Sequence, residues 1–167
     1  IGVPRTFLQS GIDADVLAAF EAHIVALKVA GHEVVDIDLP LFEQGLAAYY
    51  IVMPAEVSSN TARYDGIRFG LSVDGKNLLE VYEQTRGTGF GAEVKRRILL
   101  GTYVLSSGYY DAYYGKAETV REAMREELRT HFSSVDFIIT PTAPTPAFTI
   151  GSQEDPLSMY RQDIFTV

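Results

Sequence analysis

Three side chains have the types and settings to recognise a small charged molecule: Arg97, Asp163 and Tyr49. Arg97 sits in the run VKRRILLGTYVL. At 100° per residue, Val94, Ile98, Gly101 and Leu105 share one helix face, Arg97 and Val104 flank it, and Lys95 and Arg96 point elsewhere. An arginine beside an apolar seam needs a partner, because an isolated buried charge costs several kcal/mol. The partner is either a carboxylate of this chain, giving a structural ion pair, or a ligand carboxylate, which the guanidinium fork grips with two hydrogen bonds. Spacing alone favours the first. Asp163, just ahead of the apolar triplet in RQDIFTV, reads on sequence grounds as the cap of an element. Tyr49 and Tyr50 read as core aromatics whose hydroxyls need partners. Tyr103, Tyr109, Tyr110, Tyr113 and Tyr114 read as packing, or as a surface for another chain.

Other chemistries are excluded or disfavoured. The chain has no cysteine, so disulfides, thiolate metal sites and cysteine nucleophiles are ruled out. His23, His32 and His131 are scattered, without metal-ligand spacing, and read as surface or helix-end residues. Net charge is −8 with no basic stripe, which disfavours direct nucleic-acid binding by this segment. No apolar run approaches the roughly 20 residues that span a bilayer, and the first residues lack a signal-peptide pattern, so a cytoplasmic protein without a membrane anchor is expected. The chain starts at Ile1 and stops inside a patterned stretch, and so reads as a piece of something longer.

The elements that must position these residues follow from periodicity. Residues 1–3 suit a short strand closed by Pro4. Asp13 can cap a helix whose apolar face is Val16, Leu17, Phe20, Ile24 and Leu27, with Gly31 ending it. Val35, Ile37 and Leu39 alternate with Asp36 and Asp38 as a half-buried strand up to Pro40. Strand, helix and strand make a βαβ unit with a parallel pair. Residues 41–62 are helical and rich in small side chains, 63–70 turn at Asp65-Gly66, and a helix covers about 77–85. The glycine-rich stretch 87–91 reads as a hinge or loop, helices follow at 93–105 and 116–132, and 135–140 (VDFIIT) reads as a buried strand. In the 116–132 helix Ala117, Val120, Met124 and Leu128 face inward, opposite a wet face of Glu and Arg. The proline-studded tail reads as an ordered irregular loop. With no repeat and no linker, residues 1–167 read as a single domain.

Three separated blocks carry a resemblance. EVSSNTARYDGIRFG (56–70), GFGAEVKRRILLGTYVLSSGYYDAYYGKA (89–117) and the end, TPTAPTPAF followed by DPLSMYRQDIFTV, resemble the amidase signature family, and within it the A subunits of bacterial glutamyl-tRNA(Gln)/aspartyl-tRNA(Asn) amidotransferases. The opening IGVPRTFL and DIDLP fit the same pattern. The resemblance implies an α/β fold: a fragment of the amidase signature fold, a mixed sheet flanked by helices, from the carboxy-terminal part of the subunit. It implies that the Ser–cis-Ser–Lys triad lies in an amino-terminal half outside this chain, so the chain alone is expected to be inactive. Ser58-Ser59 and Ser106-Ser107 lack the glycine-rich surroundings of that signature and are not assigned as nucleophiles. By position in the matching blocks, Tyr49, Arg97 and Asp163 correspond to residues that hold glutamine: Arg97 the α-carboxylate, Asp163 the α-ammonium, Tyr49 an added hydrogen bond. The resemblance thus reverses the preference for a purely structural Arg97. It further implies no metal or cofactor in this segment, two other amidotransferase subunits as partners, ATP and Mg used by a partner subunit, and misacylated tRNA bound mainly through a partner. Two alternatives stay open: another amidase signature hydrolase acting on a simple amide, and a non-catalytic module that docks subunits.

Overall fold

The structure is a computed structural model describing residues 1–9, 11–152 and 155–167. It is an α/β fold, mostly helical, with a small parallel sheet. The chain divides into two compact units, one formed by Ile1–Ala47 with Thr119–Val167 and the other by Ala48–Glu118.

The first unit opens with the expected βαβ. Strand β1 (Gly2–Pro4) pairs in parallel with β2 (Val35–Ile37), and helix α1 (Ala14–Val29) connects them. The α1 ends follow from three residues. Asp13 accepts the Asp15 N–H at the amino end. At the other end Gly31 takes φ +93°, the His32 N–H reaches the Leu27 carbonyl and the Gly31 N–H reaches Lys28, a left-handed cap that a residue with a Cβ would resist. The inward face of α1 puts Phe20 and Ile24 with Val3 and Leu8 in one cluster, and Ile12, Val34, Ile139 and Phe165 pack around it. Phe7 adds edge-to-face contacts with Phe42 and Phe165.

Residues 135–140 depart from the expected buried strand. Only Ile138 joins the sheet, in a single parallel bridge to Gly2, and Phe137 is 67% exposed. The Gly2 N–H bonds the Phe137 carbonyl and the Ile139 N–H bonds Gly2. The next rung would need a donor at position 4, and Pro4 has none. The ladder stops there.

A 3-10 turn (Pro40–Gln44) leads into α2 (Gly45–Thr61), which contains Pro54. Helices α3 (Leu78–Gly89), α4 (Ala92–Val104) and α5 (Lys116–Phe132) follow, the last entered through a π-helical turn (Asp111–Gly115). Asp65-Gly66 turns as expected, with Gly66 at φ +89° and the Asp65 carboxylate accepting the Ile67 N–H. The expected loop at 87–91 is corrected. Gly87 and Gly89 lie inside α3, capped at its start by Asn77, and only Phe90 and Gly91 separate it from α4. Burying Thr85 one turn earlier keeps the helix in place across these glycines. Among its described residues the tail is irregular except for a short helix α6 (Pro156–Tyr160), capped by Asp155, and a 3-10 turn (Arg161–Asp163). On α5, Ala117 is buried and Val120, Met124 and Leu128 are half-buried. Exposed Glu122 and Glu126 pair with Arg125 and Arg129, so this charge run is solvated surface.

Candidate functional site

Arg97 lies on α4 with its side chain only 23% exposed. Its Nε donates to Glu93 Oε1 at 2.8 Å, one turn earlier on the same helix. Nη1 donates to Met53 Sδ at 3.3 Å, and the guanidinium carbon stands 5.6 Å from the Tyr50 ring centre. Tyr49 also bonds the guanidinium. Burial works to lower the Arg97 pKa, but hydrogen bonds to Glu93 and Tyr49, with charge attraction from Tyr50 and Glu93, outweigh it and the net shift is upward. The side chain is a permanent cation in a half-buried seat.

That seat is built by α2. Tyr49 and Tyr50 meet edge to face at 4.9 Å, and Met53 follows one turn later. The two helices come close because Gly101 faces Pro54 and Ser58; a Cβ at position 101 would fall 2.5 Å from the Pro54 carbonyl carbon and 2.8 Å from Ser58 Cβ. Ser58 Oγ and Thr102 Oγ1, 2.9 Å apart, bond across the same crossing.

The buried face of α4 is Gly101 and Val104 with half-buried Glu93, Arg97, Ile98 and Leu105, while Val94 is exposed. Periodicity places Val94 in the seam and Arg97 on its flank. The correction is a rotation of about one residue, and its cause is Gly101: the closest approach of two backbones fixes which side of a helix is inside, and apolar count does not.

Of the three sequence-predicted site residues, Tyr49 and Arg97 are brought into contact. Asp163 belongs to the other unit, half-buried at the end of its 3-10 turn, where its carbonyl accepts the Thr166 N–H at 2.9 Å. The structural ion pair considered for Arg97 exists, with Glu93. Sequence reasoning does not name Glu93, Met53 or Gly101 as the makers of the seat. Glu93 carries a signal, four residues before an arginine on one helix; Met53 and Gly101 carry none that precedes knowledge of the crossing.

Among the described residues no group of His, Asp and Glu could hold a metal ion. His131 ends α5 and bonds the Asp38 carbonyl at 2.8 Å, a helix-end role. The tyrosines read as packing, or as a surface for another chain, are both stacked on one another and largely exposed. Tyr103 stacks on Tyr109 at 4.4 Å and Tyr110 on Tyr114 at 5.1 Å, with Tyr103, Tyr109, Tyr110 and Tyr113 all exposed. A hydrogen bond with Tyr109, foremost, pushes the Tyr103 hydroxyl up to about 12.

A family model described as Amidase matches residues 1–167. The chain belongs to the amidase family. Its similarity to other amidase-family proteins covers the whole chain. Over 168 residues it is 51% identical to the A subunit of the glutamyl-tRNA(Gln) amidotransferase of Parvibaculum lavamentivorans and 53% identical to that of Maricaulis maris, covering all of this chain and 34% of each relative. The solved structure of the corresponding A subunit from Thermotoga maritima, also a glutamyl-tRNA(Gln) amidotransferase, matches 99% of this chain and 31% of that one, with a TM-score of 0.69 and 37% identity. This amidase-family chain thus spans about a third of the length of the curated relatives it matches.

Proposed function

We propose that the chain is the glutamine-binding part of the glutaminase subunit of a tRNA-dependent amidotransferase. The whole subunit hydrolyses glutamine to glutamate and ammonia, and the ammonia converts Glu-tRNA(Gln) or Asp-tRNA(Asn) into the amidated product on a partner subunit that uses ATP and Mg. The enzyme is a cytoplasmic heterotrimer, with tRNA held mainly by a partner. In the described residues no helix is long and apolar enough to cross a membrane.

The observation that carries the reading is identity above one half, along the entire chain, to A subunits of glutamyl-tRNA(Gln) amidotransferases. The Arg97 seat supplies the chemistry. A free amino acid offers a carboxylate and an ammonium, and a site selective for it must answer both. Arg97 is assigned the α-carboxylate, Asp163 the α-ammonium, and the Tyr49 hydroxyl an added bond. The Nη1 contact to Met53 suits exchange, because a thioether is a weak acceptor that a carboxylate oxygen outcompetes. The residues that break the amide bond are assigned to the rest of the subunit, so this segment holds substrate and does not attack it.

Arg97→Ala in the complete subunit tests the assignment against a hydrolase of simple amides. It should lower kcat/KM for glutamine by about 10- to 100-fold while leaving an uncharged amide nearly unaffected. Equal losses on both substrates favour the simple-amide hydrolase. The exposed tyrosines favour a second reading, a docking module with no part in substrate binding. In that case Arg97→Ala leaves glutamine kinetics unchanged.

A further inference from the structure

Gly101 touches nothing in the seat and yet decides where the seat is. Building on the assignment of Arg97 to glutamine, we infer that Gly101 is a positioning residue for that substrate: it allows α2 and α4 to cross in backbone contact and so fixes the height at which Arg97 is presented.

The obstacle to any side chain at position 101 is main chain. An added Cβ would meet the Pro54 carbonyl oxygen and carbon, the latter at 2.5 Å, together with Ser58 Cβ at 2.8 Å. A flexible side chain could swing aside, but a carbonyl inside a helix can retreat only by moving the helix. Arg97 lies one turn before Gly101 on α4, and Met53 and Tyr50 lie just before Pro54 on α2. The two pairs are therefore adjacent rungs of one crossing. Lifting α4 at Gly101 lengthens the contacts of Arg97 with Met53 Sδ, now 3.3 Å, and with the Tyr50 ring, now 5.6 Å. It also pulls Arg97 away from Tyr49, while Glu93, on the same helix as Arg97, moves with it. The cation would keep its helix-borne carboxylate and lose the α2 side of its seat. Thr102 pins the crossing beside Gly101: its hydroxyl donates to the Ile98 carbonyl at 2.8 Å and so accepts from Ser58.

A glycine inside a helix is ordinarily a weakness that alanine repairs. Here the opposite is expected. In the complete subunit within its complex, Gly101→Ala should raise KM for glutamine about tenfold or more, the scale of an ångström-sized misplacement, and leave hydrolysis of an uncharged amide within about twofold. Thr102→Val, which removes the inter-helix bond without adding bulk, should raise the glutamine KM by less and in the same direction; it decides the matter if the alanine variant does not fold. Arg97→Ala serves as the reference. If it is selective for glutamine while Gly101→Ala, or Thr102→Val in its place, weakens both amides equally or neither, Gly101 is only a packing residue and the inference falls alone. If Arg97→Ala is itself unselective, the glutamine assignment falls and the inference with it.

Discussion

The unit formed by Ile1–Ala47 and Thr119–Val167 buries Val3, Leu8, Phe20 and Ile24 in one cluster, whereas the unit Ala48–Glu118 buries Ala48, Pro54, Ala55, Gly101, Val104 and Ala117. The first is held by large apolar side chains around a parallel sheet. The second has helices and turns but no strand, and its buried positions are mostly too small to form such a cluster; they bring backbones together. Charge divides the same way. The first unit contains six Lys and Arg against fourteen Asp and Glu, so it carries the chain's entire net charge, and the second has eight of each. Nine of the ten tyrosines are in the second unit. A region with close backbones, balanced charge and phenolic hydroxyls suits the presentation of a cation to a small molecule. A region with a conventional core suits support, and in this chain it also carries Asp163, the residue proposed for the α-ammonium.

The contrast can be broken most forcefully at Ile24, which is 2% exposed. Ile24→Ala should cost about 2–5 kcal/mol of stability, read from urea unfolding of the complete subunit. The glutamine-to-simple-amide preference of the remaining folded enzyme should be unchanged; a lost preference would mean that this core also sets the position of Asp163, two residues from Phe165, which packs on it. A smaller effect is expected in the second unit. Arg86 Nη1 donates to the carbonyls of Thr61, the last residue of α2, and of Tyr64 just beyond it, and its guanidinium lies 4.9 Å from the Phe90 ring centre. Arg86→Met keeps the length of the side chain and removes the charge, and should cost about 1–3 kcal/mol by the same measurement. A cost below the error of the measurement would show that polar caps do not replace the missing large core there.

The smallest effect concerns Glu127 of the acidic unit. Burial, foremost, pushes its carboxyl up, the Leu41 N–H and His131 pull it down, and Asp38 adds to the rise. Its Oε2 is buried without a hydrogen-bond partner. A raised folded-state value means that the folded protein holds this proton more tightly than the unfolded chain. Ionised Glu127 therefore costs stability above its folded pKa, and the cost fades as pH falls through that value towards the ordinary 4.5. Glu127→Gln should give a small gain in unfolding midpoint near neutral pH and none below about pH 4. An equal gain at both pH values would assign the effect to packing.

Much of the acidic unit is legible in the sequence. Asp13, Gly31 and the spacing of Phe20 and Ile24 are local signals, since caps and helix faces depend on residues within a few positions of one another. The 135–140 segment misleads because an apolar run says nothing about the partner strand, and the proline that ends the ladder is on the other strand. In the second unit the glycines at 87–91 suggest a loop, and a buried Thr85 and the packing of α3 override that preference. Arg97 and Tyr49 stand out as candidates, but their contact is not readable from spacing.

The sequence by itself determined the caps, the periodicities, the βαβ start, the absence of thiol chemistry and, through its three matching blocks, the amidase family. Only the tertiary structure decided that α4 turns Arg97 inward, that Met53, Tyr49 and Tyr50 face it, and that Gly101 is the reason the helices can touch. The physical cause is range. Caps and faces are set by neighbours along the chain, whereas a seat made by two helices depends on how closely 54 and 101 approach, a distance that no pattern within either segment encodes.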